Sequence, residues 1–371
     1  MGFSCGIIGL PNVGKSTLFN ALTRASVPAA NYPFCTIDPH VGAVPVPDPR
    51  LATLAELVPT ERVVPAMMEF VDIAGLVAGA SQGEGLGNQF LTHIASVEAV
   101  AHVVRCFEDP HVVHVSGSVD PRRDIEIITT ELILRDLGTA SSAVTKVEKT
   151  ARSGDKAAVA AAAALREVVD ALDAGRPASA VRPPSDGAAG WEAVRALNLL
   201  SGKPILYVAN ISEQELAAGT EPPSLAAVRE IATAQGAEVV PICAAIEAQI
   251  AALETEAERA EYLAAVGLRE PGLSRLIRAG YRLLGLITFF TVGPKEDRAW
   301  TIRNGLSAQE AAGKIHSDMA RGFIRAEIIG YDDFLACGGR EEAAREQGKL
   351  RLEGKDYRMR DGDLVHFRFS V

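Results

Sequence analysis

Eight residues near the N-terminus leave few folds open to this chain. Residues 9–16 read Gly-Leu-Pro-Asn-Val-Gly-Lys-Ser, after a short apolar run and before a helix-like stretch. In this order of strand, loop and helix, the glycines let backbone N–H groups curl around a phosphate at a helix N-terminus. We therefore predict a doubly wound α/β domain that binds a nucleotide phosphate through Asn12, Val13, Gly14, Lys15, Ser16 and Thr17.

Four side chains and one backbone group are expected to complete this site. Lys15 would supply a catalytic charge to the β- and γ-phosphates, and Ser16 a hydroxyl ligand for Mg²⁺. Asp72 ends an apolar run and begins an Asp-x-x-Gly pattern, which predicts its carboxylate at the Mg²⁺ ion and the N–H of Gly75 at the γ-phosphate. Thr36, in the loop before the next strand, is predicted to complete the Mg²⁺ shell. An ordinary loop turn is the competing interpretation of both patterns.

Apolar runs alternate with helix-like stretches, as in a parallel sheet covered by helices. The runs span residues 5–10, 67–71, 99–106, 205–209 and 239–243. About a hundred residues separate the third run from the fourth, which is too long for one crossover helix. We predict a nucleotide-binding domain in two parts, an insert between them and a C-terminal domain, with the limits 1–120, 203–280, 121–202 and 281–371.

The insert has the pattern of a helical hairpin. Apolar residues recur at spacings of three and four on both sides of Ser153-Gly154: Ile133, Leu137, Ala140, Val144, Val147 and Ala151 before it, and Ala158, Ala161, Leu165, Val168 and Leu172 after it. Such a seam on two consecutive helices predicts a coiled-coil hairpin. Two ordinary surface helices of the main domain are the alternative.

The segment 281–371 is predicted to form a compact α+β domain. Strand-like runs at 287–292 and 299–302 precede a helix near 308–320. Asp361-Gly362 lies between two alternating runs and predicts a β-hairpin.

The net charge of −10 argues against general nucleic-acid binding, although basic residues form two clusters. One lies where the helical hairpin should reverse: Lys146, Lys149, Arg152 and Lys156. The other lies late in the C-terminal domain: Lys349, Arg351, Lys355, Arg358 and Arg360. A solvated charged face and an RNA-binding face both fit such clusters.

Cysteine usage and hydropathy indicate a cytoplasmic protein. The five cysteines (Cys5, Cys35, Cys106, Cys243 and Cys337) have neither zinc nor redox spacing and are expected to be reduced. No uncharged apolar run is long enough to cross a bilayer, so we expect no contact with a membrane.

The motifs together resemble one family over essentially the whole chain. These motifs are residues 9–16, Asn-Tyr-Pro-Phe-Cys-Thr at 31–36, the stretch 72–91, Arg-Ala-Trp-Thr-Ile at 298–302 and Ala-Ala-Gly-Lys-Ile-His at 311–316. The chain resembles the Obg-like ATPases, the ribosome-binding YchF-type branch of the translation-factor GTPases. The resemblance implies a G domain interrupted by a coiled-coil insert, followed by a TGS domain with the ubiquitin-like β-grasp fold.

The base-reading motif differs from that of GTPases. GTPases have Asn-Lys-x-Asp after the fourth strand, whereas this chain has Asn210-Ile211-Ser212-Glu213. Guanine offers two N–H donors that an aspartate accepts together, and the longer Glu213 should lose that paired geometry. Ile211 replaces a lysine stem by an apolar contact. Chemistry alone predicts weaker guanine specificity, and the resemblance implies a preference for ATP.

The residue that normally orients the attacking water is also replaced. Many GTPases have Gln after Asp-x-x-Gly, but here the position is Leu76. The candidates for this role are His114, which the resemblance favours, and His93. The resemblance gives Asn12 two possible roles, a ligand of K⁺ beside the phosphates or a cap of the turn.

The sequence thus predicts a monomeric, cytoplasmic Mg²⁺-dependent ATPase switch. Its partners would be ATP and the ribosome or large ribosomal subunit, through RNA and protein. Lys15 and His114 are the expected catalytic residues, and Asn210, Ile211 and Glu213 the expected base contacts. The alternatives are a GTPase in ribosome assembly and an ATP-gated adaptor without significant turnover.

Overall fold

The structure is a computed structural model that describes residues 3–24, 40–73, 94–185, 187–219 and 221–370. Two compact units divide these residues. The first comprises residues 3–42 and 69–276, and the second comprises residues 43–68 and 277–371. The sequence-based limits at 120, 202 and 280 stay predictions.

Strands and helices alternate over the first unit and form a separate mixed layer in the second. The strands are β1 (Ser4–Ile8), β2 (Val41–Pro45), β3 (Val63–Val64), β4 (Met67–Asp72), β5 (Ala99–Arg105), β6 (Ile205–Asn210), β7 (Glu238–Ile242), β8 (Leu286–Thr291), β9 (Asp297–Arg303), β10 (Phe323–Gly330), β11 (Arg351–Glu353) and β12 (Asp363–Phe369).

The helices of the described residues are α1 (Lys15–Arg24), α2 (Pro49–Leu57), α3 (Pro121–Ala151), α4 (Lys156–Asp173), α5 (Trp191–Ala196), α6 (Glu213–Ala218), α7 (Pro223–Gln235), α8 (Ala244–Ala252), α9 (Glu256–Ala265), α10 (Gly272–Leu283), α11 (Ala308–Ile315), α12 (Ser317–Arg321), α13 (Tyr331–Ala336) and α14 (Glu341–Glu346). Two short 3₁₀ turns occur at Ala178–Ala180 and Leu200–Gly202.

The first sheet confirms the predicted α/β fold. Its strand order is β2-β4-β1-β5-β6-β7, and β1 runs parallel to both β4 and β5. The pairs β5–β6 and β6–β7 are parallel as well. All five predicted runs are strands of this sheet, and every residue of β5 is buried. Because parallel strands end at the same edge, the loops after β1, β4, β5 and β6 meet there.

The insert is a helical hairpin, as the heptad pattern predicts. Helix α3 has 31 residues and begins at Pro121, with Asp120 as its N-cap, and α4 returns after the turn at Gly154. Ile133, Ala140, Val168 and Leu172 are buried in one apolar cluster between the helices. Trp191 of α5 joins this cluster, which a seam of two helices alone does not predict.

A buried carboxylate fixes the end of the insert. Asp136 of α3 accepts hydrogen bonds from the N–H groups of Leu200 (2.8 Å) and Ser201 (2.7 Å) and from the Ser201 hydroxyl (2.6 Å). Burial raises the pKa of Asp136, and these hydrogen bonds act in the opposite direction. Lys203 then donates to the carbonyl of Val97 at 2.6 Å, just before β5. The chain therefore returns from the hairpin to the sheet at a defined place.

The second unit has the strand order of a β-grasp domain. Its sheet order is β11-β10-β12-β8-β9-β3. Strands β8 and β9 are antiparallel, β12 runs parallel to β8, and β10 is antiparallel to β12. Helix α11 covers one face, where Ala308, Ala311 and Ala312 pack against the sheet in an apolar cluster. The predicted C-terminal β-grasp domain is confirmed.

Residues 43–68 join the second unit through a buried edge of polar contacts. Arg50 of α2 pairs with Asp48 and with Asp361, both at 2.7 Å, and lies over the Phe290 ring at 5.2 Å. Asp361 also accepts from the N–H of Thr288 at 2.8 Å. These contacts join positions far apart in the sequence, which hydrophobic periodicity cannot reveal.

The predicted hairpin at Asp361-Gly362 is wrong. The residues before this turn form no strand with β12, which pairs with β10 and β8 instead. Their backbone groups bond to the start of α11, as Met359 N–H donates to Leu306 (3.0 Å) and Ala308 N–H to Tyr357 (2.8 Å). The Asp-Gly turn is present with Gly362 at φ 86°, but it leads into a different strand pairing.

His102 in the middle of β5 is a buried histidine without a charge partner. It is 1% exposed, its Nδ1 has no hydrogen-bond partner, and its ring lies 5.5 Å from that of Tyr207. Burial lowers the pKa of His102 from 6.5 to about 3. The unfolded chain therefore takes up a proton below about pH 6.5 that the folded chain excludes until about pH 3.

We predict that His102→Leu makes the first unit less sensitive to acid. The excluded proton should lower the free energy of unfolding by about 2 kcal/mol between pH 7 and pH 5, and the variant should lose that difference. Urea unfolding followed by circular dichroism at both pH values measures it. The exposed His111 provides the control variant His111→Leu, which should keep the wild-type pH dependence. An unchanged pH dependence in His102→Leu would contradict the assignment.

Candidate functional site

The loop between β1 and α1 has the backbone shape that phosphate binding needs. Asn12 has φ 63° and Gly14 φ 94°, both in the left-handed region. A Cβ on Gly14 would overlap Nδ2 of Asn210, so both the backbone angle and the available space require glycine here. The N–H of Leu18 makes the first helical hydrogen bond to Gly14, at 3.0 Å. The N–H groups before it remain oriented towards the loop, where an anion is favoured.

Lys15 and Asp72 form an ion pair at the centre of the site. The parallel pairing of β1 with β4 places Ile7 beside Asp72, which brings the end of β4 to the phosphate loop. The Lys15 side chain is 8% exposed and that of Asp72 is 18% exposed. A phosphate and a divalent cation offer the complementary charges, since the phosphate can take the place of the carboxylate at Lys15 and the cation that of the ammonium at Asp72.

The oxygen donors here suit Mg²⁺. Ser16 follows Lys15 and is exposed, and Asp72 offers a carboxylate, so both are the hard ligands that this ion prefers. Among the described residues, no group of three or more His, Cys, Asp or Glu side chains could hold a metal. This agrees with a site in which phosphate oxygens and water supply most of the ligands.

Asn210 joins the phosphate loop to the loop after β7. Its Nδ2 donates to the carbonyl of Val13 at 2.9 Å, and its Oδ1 accepts from the N–H of Ala244 at 3.0 Å. The side chain is 5% exposed. Asn210, Val13 and the Cys243–Ala244 turn are therefore brought together, as the base-reading interpretation expects.

Ile211 and Glu213 differ in where their side chains lie. Ile211 is 4% exposed and packs in the apolar cluster with Val104 and Tyr207, which leaves no free face for a ligand. Glu213 is the exposed first residue of α6. Burial raises the pKa of the Cys243 thiol, and the Glu213 carboxylate raises it further, which places Glu213 near the turn that Asn210 holds.

His114 is held away from a catalytic orientation in this structure. Its Nδ1 accepts from the N–H of Ser116 at 3.1 Å, so the proton lies on Nε2, which donates to Asp124 at 2.8 Å. Both side chains are 3% exposed. The loop itself does reach the phosphate loop, because Nδ2 of Asn12 donates to the carbonyl of Val113 at 3.1 Å. His114 must leave Asp124 before it can contact a nucleotide.

Two residues of this region were missed from sequence. Arg105 is 1% exposed at the end of β5 and donates to carbonyls of the following loop. Asp124 lies in the first turns of α3 and binds His114. The available signal for Arg105 was a charged residue within an apolar strand run. Asp124 had no signal, because acidic residues are common near helix N-termini.

Four positions discussed from sequence lie outside the described residues: Thr36, Gly75, Leu76 and His93. Their predicted roles stay predictions.

The two basic clusters differ in how far their charge is compensated. At the hairpin turn, Lys146, Lys149, Arg152 and Lys156 are exposed. In the second unit, by contrast, Lys349 pairs with Asp333 at 2.8 Å, Arg351 with Asp363 at 3.3 Å, and Arg358 donates to the carbonyl of Gly305 at 2.6 Å. Acids and carbonyls of the same unit therefore satisfy much of the C-terminal cluster. No helix of the described residues is long and apolar enough to cross a membrane.

Comparisons with known proteins agree with this geometry. A family model described as "50S ribosome-binding GTPase" matches residues 4–137, and the YchF-GTPase C-terminal model, described as "Protein of unknown function (DUF933)", matches residues 286–370. The chain is 55% identical to the ribosome-binding ATPase YchF of Haemophilus ducreyi and 53% identical to that of Bacillus subtilis, each over 371 residues and 100% of both chains.

A solved structure, that of the Schizosaccharomyces pombe YchF GTPase, is 36% identical to this chain. It superposes with a TM-score of 0.88 over 99% of this chain and 98% of that chain. The similarity in sequence and in structure extends over both compact units and the insert, and the chain therefore belongs to the YchF family.

Proposed function

We propose that the chain is a ribosome-associated ATPase, a switch whose phosphate loop binds Mg²⁺·ATP and hydrolyses it to ADP and phosphate. The observation that carries this proposal is the convergence of Lys15, Asp72 and Asn210 on one loop of the required shape. Relatives that match the chain over their full length carry the name ribosome-binding ATPase. No other chemistry-bearing arrangement of the described residues combines these features.

Lys15 and the backbone of residues 12–17 would bind the phosphates. On binding, Lys15 exchanges the Asp72 carboxylate for β- and γ-phosphate oxygens and then stabilises charge that develops in the transition state. Ser16, Thr36 and Asp72 would hold Mg²⁺, which supplies charge neutralisation between the phosphates. The N–H of Gly75 would sense the γ-phosphate. Asn12 offers its Oδ1 for K⁺ while its Nδ2 bonds to Val113.

A preference for adenine would come from Glu213. Guanine recognition in GTPases uses one carboxylate for two N–H groups, and the extra methylene of Glu213 displaces its oxygens from that geometry. Ile211 would contribute through packing, since its side chain is buried. The name of the S. pombe relative, YchF GTPase, keeps GTP as the competing outcome.

The ribosome is the proposed partner, with the large subunit as the first candidate. The exposed basic residues at the turn between α3 and α4 suit an RNA backbone, which attracts clustered Lys and Arg. We propose further that the protein acts as a monomer in the cytoplasm.

We predict that Lys15→Ala abolishes turnover. The lost charge should lower kcat by ~10²–10³-fold and weaken ATP binding by ~10-fold or more, while the fold survives because Lys15 makes no core packing. Phosphate release and calorimetry measure both effects, and thermal unfolding checks the fold. Lys295→Ala, at an exposed lysine of the second unit, is the control. Hydrolysis at the wild-type rate by folded Lys15→Ala would refute the site.

We predict that the nucleotide-free protein binds ATP at least ~10-fold more tightly than GTP, about 1.4 kcal/mol. Glu213→Asp should narrow this ratio by shortening the side chain to the length that guanine recognition uses. Glu213→Gln, which keeps the length and removes the charge, is the matched control and should not improve GTP binding. Calorimetric titration of both nucleotides decides the question, and a wild-type preference for GTP would overturn the ATP assignment.

We predict that His114→Ala lowers kcat and leaves ATP affinity nearly intact. A group that acts on the attacking water contributes to the transition state rather than to ground-state binding, typically ~10²–10⁴-fold. Single-turnover hydrolysis with and without ribosomes measures the rate. His111→Ala, an exposed histidine of the same loop, is the control. Wild-type rates in His114→Ala would show that the residue only closes the loop onto Asp124.

A further inference from the structure

Arg105 is an unusual residue for the position it occupies. It ends β5, a strand in which every residue is buried, and is itself 1% exposed. Burying a guanidinium is costly unless its donors are satisfied. In the described part of the chain its hydrogen bonds go to carbonyl oxygens rather than to a carboxylate. An apolar residue would fill this strand position at lower cost, so packing alone does not account for Arg105.

All of these carbonyls belong to the loop that follows β5. Nε of Arg105 donates to Phe107 at 3.1 Å, Nη1 to Val112 at 3.0 Å and Nη2 to Asp109 at 3.4 Å. The guanidinium also lies 4.5 Å from the centre of the Phe107 ring. The planar fork of arginine can reach several acceptors at once, which the single ammonium of lysine cannot. Arg105 therefore determines the path of residues 107–112.

The next two residues are those that meet the nucleotide site. The carbonyl of Val113 accepts from Asn12 of the phosphate loop at 3.1 Å, and His114 follows it. The loop is thus fixed at its beginning by Arg105 and at its tip by the phosphate loop. His114 can exchange its contact with Asp124 for one with a ligand while residues 107–113 stay in place, because the two sets of contacts involve different atoms.

We propose that Arg105 is a positioning residue for ATP hydrolysis, which holds residues 107–113 so that His114 stands beside the phosphate loop. The inference rests on the proposed function. It assigns to Arg105 no contact with the nucleotide. Its loss should therefore act through His114, lowering kcat without a matching loss of ATP affinity.

The first test is enzymatic and uses the full-length protein. Arg105→Met should lower single-turnover kcat by ~10-fold or more with the Kd for ATP changed less than about threefold, and Arg105→Lys should restore part of the rate. In the His114→Ala background, Arg105→Met should cost nothing further, because both changes remove the same contribution. Arg122→Met, on the exposed start of α3, is the control. A kcat loss of equal size in both backgrounds, or no loss at all, would overturn the proposal.

The second test does not depend on hydrolysis. Hydrogen exchange of the amides of residues 107–116 should accelerate in Arg105→Met, with exchange in β5 and β6 unchanged. Unchanged exchange in the loop, or equal acceleration throughout the sheet, would overturn the positioning role. Lys15→Ala separates the two levels of argument: full activity in that variant refutes the proposed function, whereas the exchange experiment still decides the role of Arg105.

Discussion

The side-chain amide of Asn210 is the contact on which the geometry of the site depends. It donates to Val13 and accepts from Ala244, so that one buried group holds both the phosphate loop and the turn after β7. Its position leaves no room for a Cβ on Gly14. The glycine of the motif therefore serves two needs, a positive φ and close approach of this amide. Any ligand held by both loops would find their separation set before it binds.

The Lys15–Asp72 pair adds a charge constraint to this geometry. Two side chains that are mostly buried neutralise each other at the end of parallel strands. Neither a phosphate nor a cation alone replaces the pair without leaving one partner uncompensated, and an uncompensated charge in such a place is costly. Binding of phosphate together with its divalent ion leaves both partners satisfied. The site thus favours the metal–nucleotide complex as a unit, for reasons that involve no recognition of the base.

Local patterns predicted those parts of the molecule in which local residues decide the outcome. The strand before the phosphate loop, the buried run of β5 and the seam of α3 and α4 all follow from periodicity, and the structure contains them. Residues 43–68 could not be placed, because their partner Asp361 lies some three hundred positions away. The Asp-Gly hairpin failed for the same reason: the turn exists, but Met359 and Tyr357 bond to α11 rather than to β12.

His114 shows what separates a residue type from a working site. Its position in the chain follows from family resemblance, whereas its orientation depends on Asp124 and the N–H of Ser116, which occupy both ring nitrogens. Breaking a buried, charge-assisted hydrogen bond costs on the order of 1.5–3 kcal/mol. An enzyme that must spend this amount before chemistry is slow by roughly one to two powers of ten. A partner that stabilises the released loop would remove that cost, so the contact with Asp124 gives a physical reason for turnover to respond to binding elsewhere on the protein.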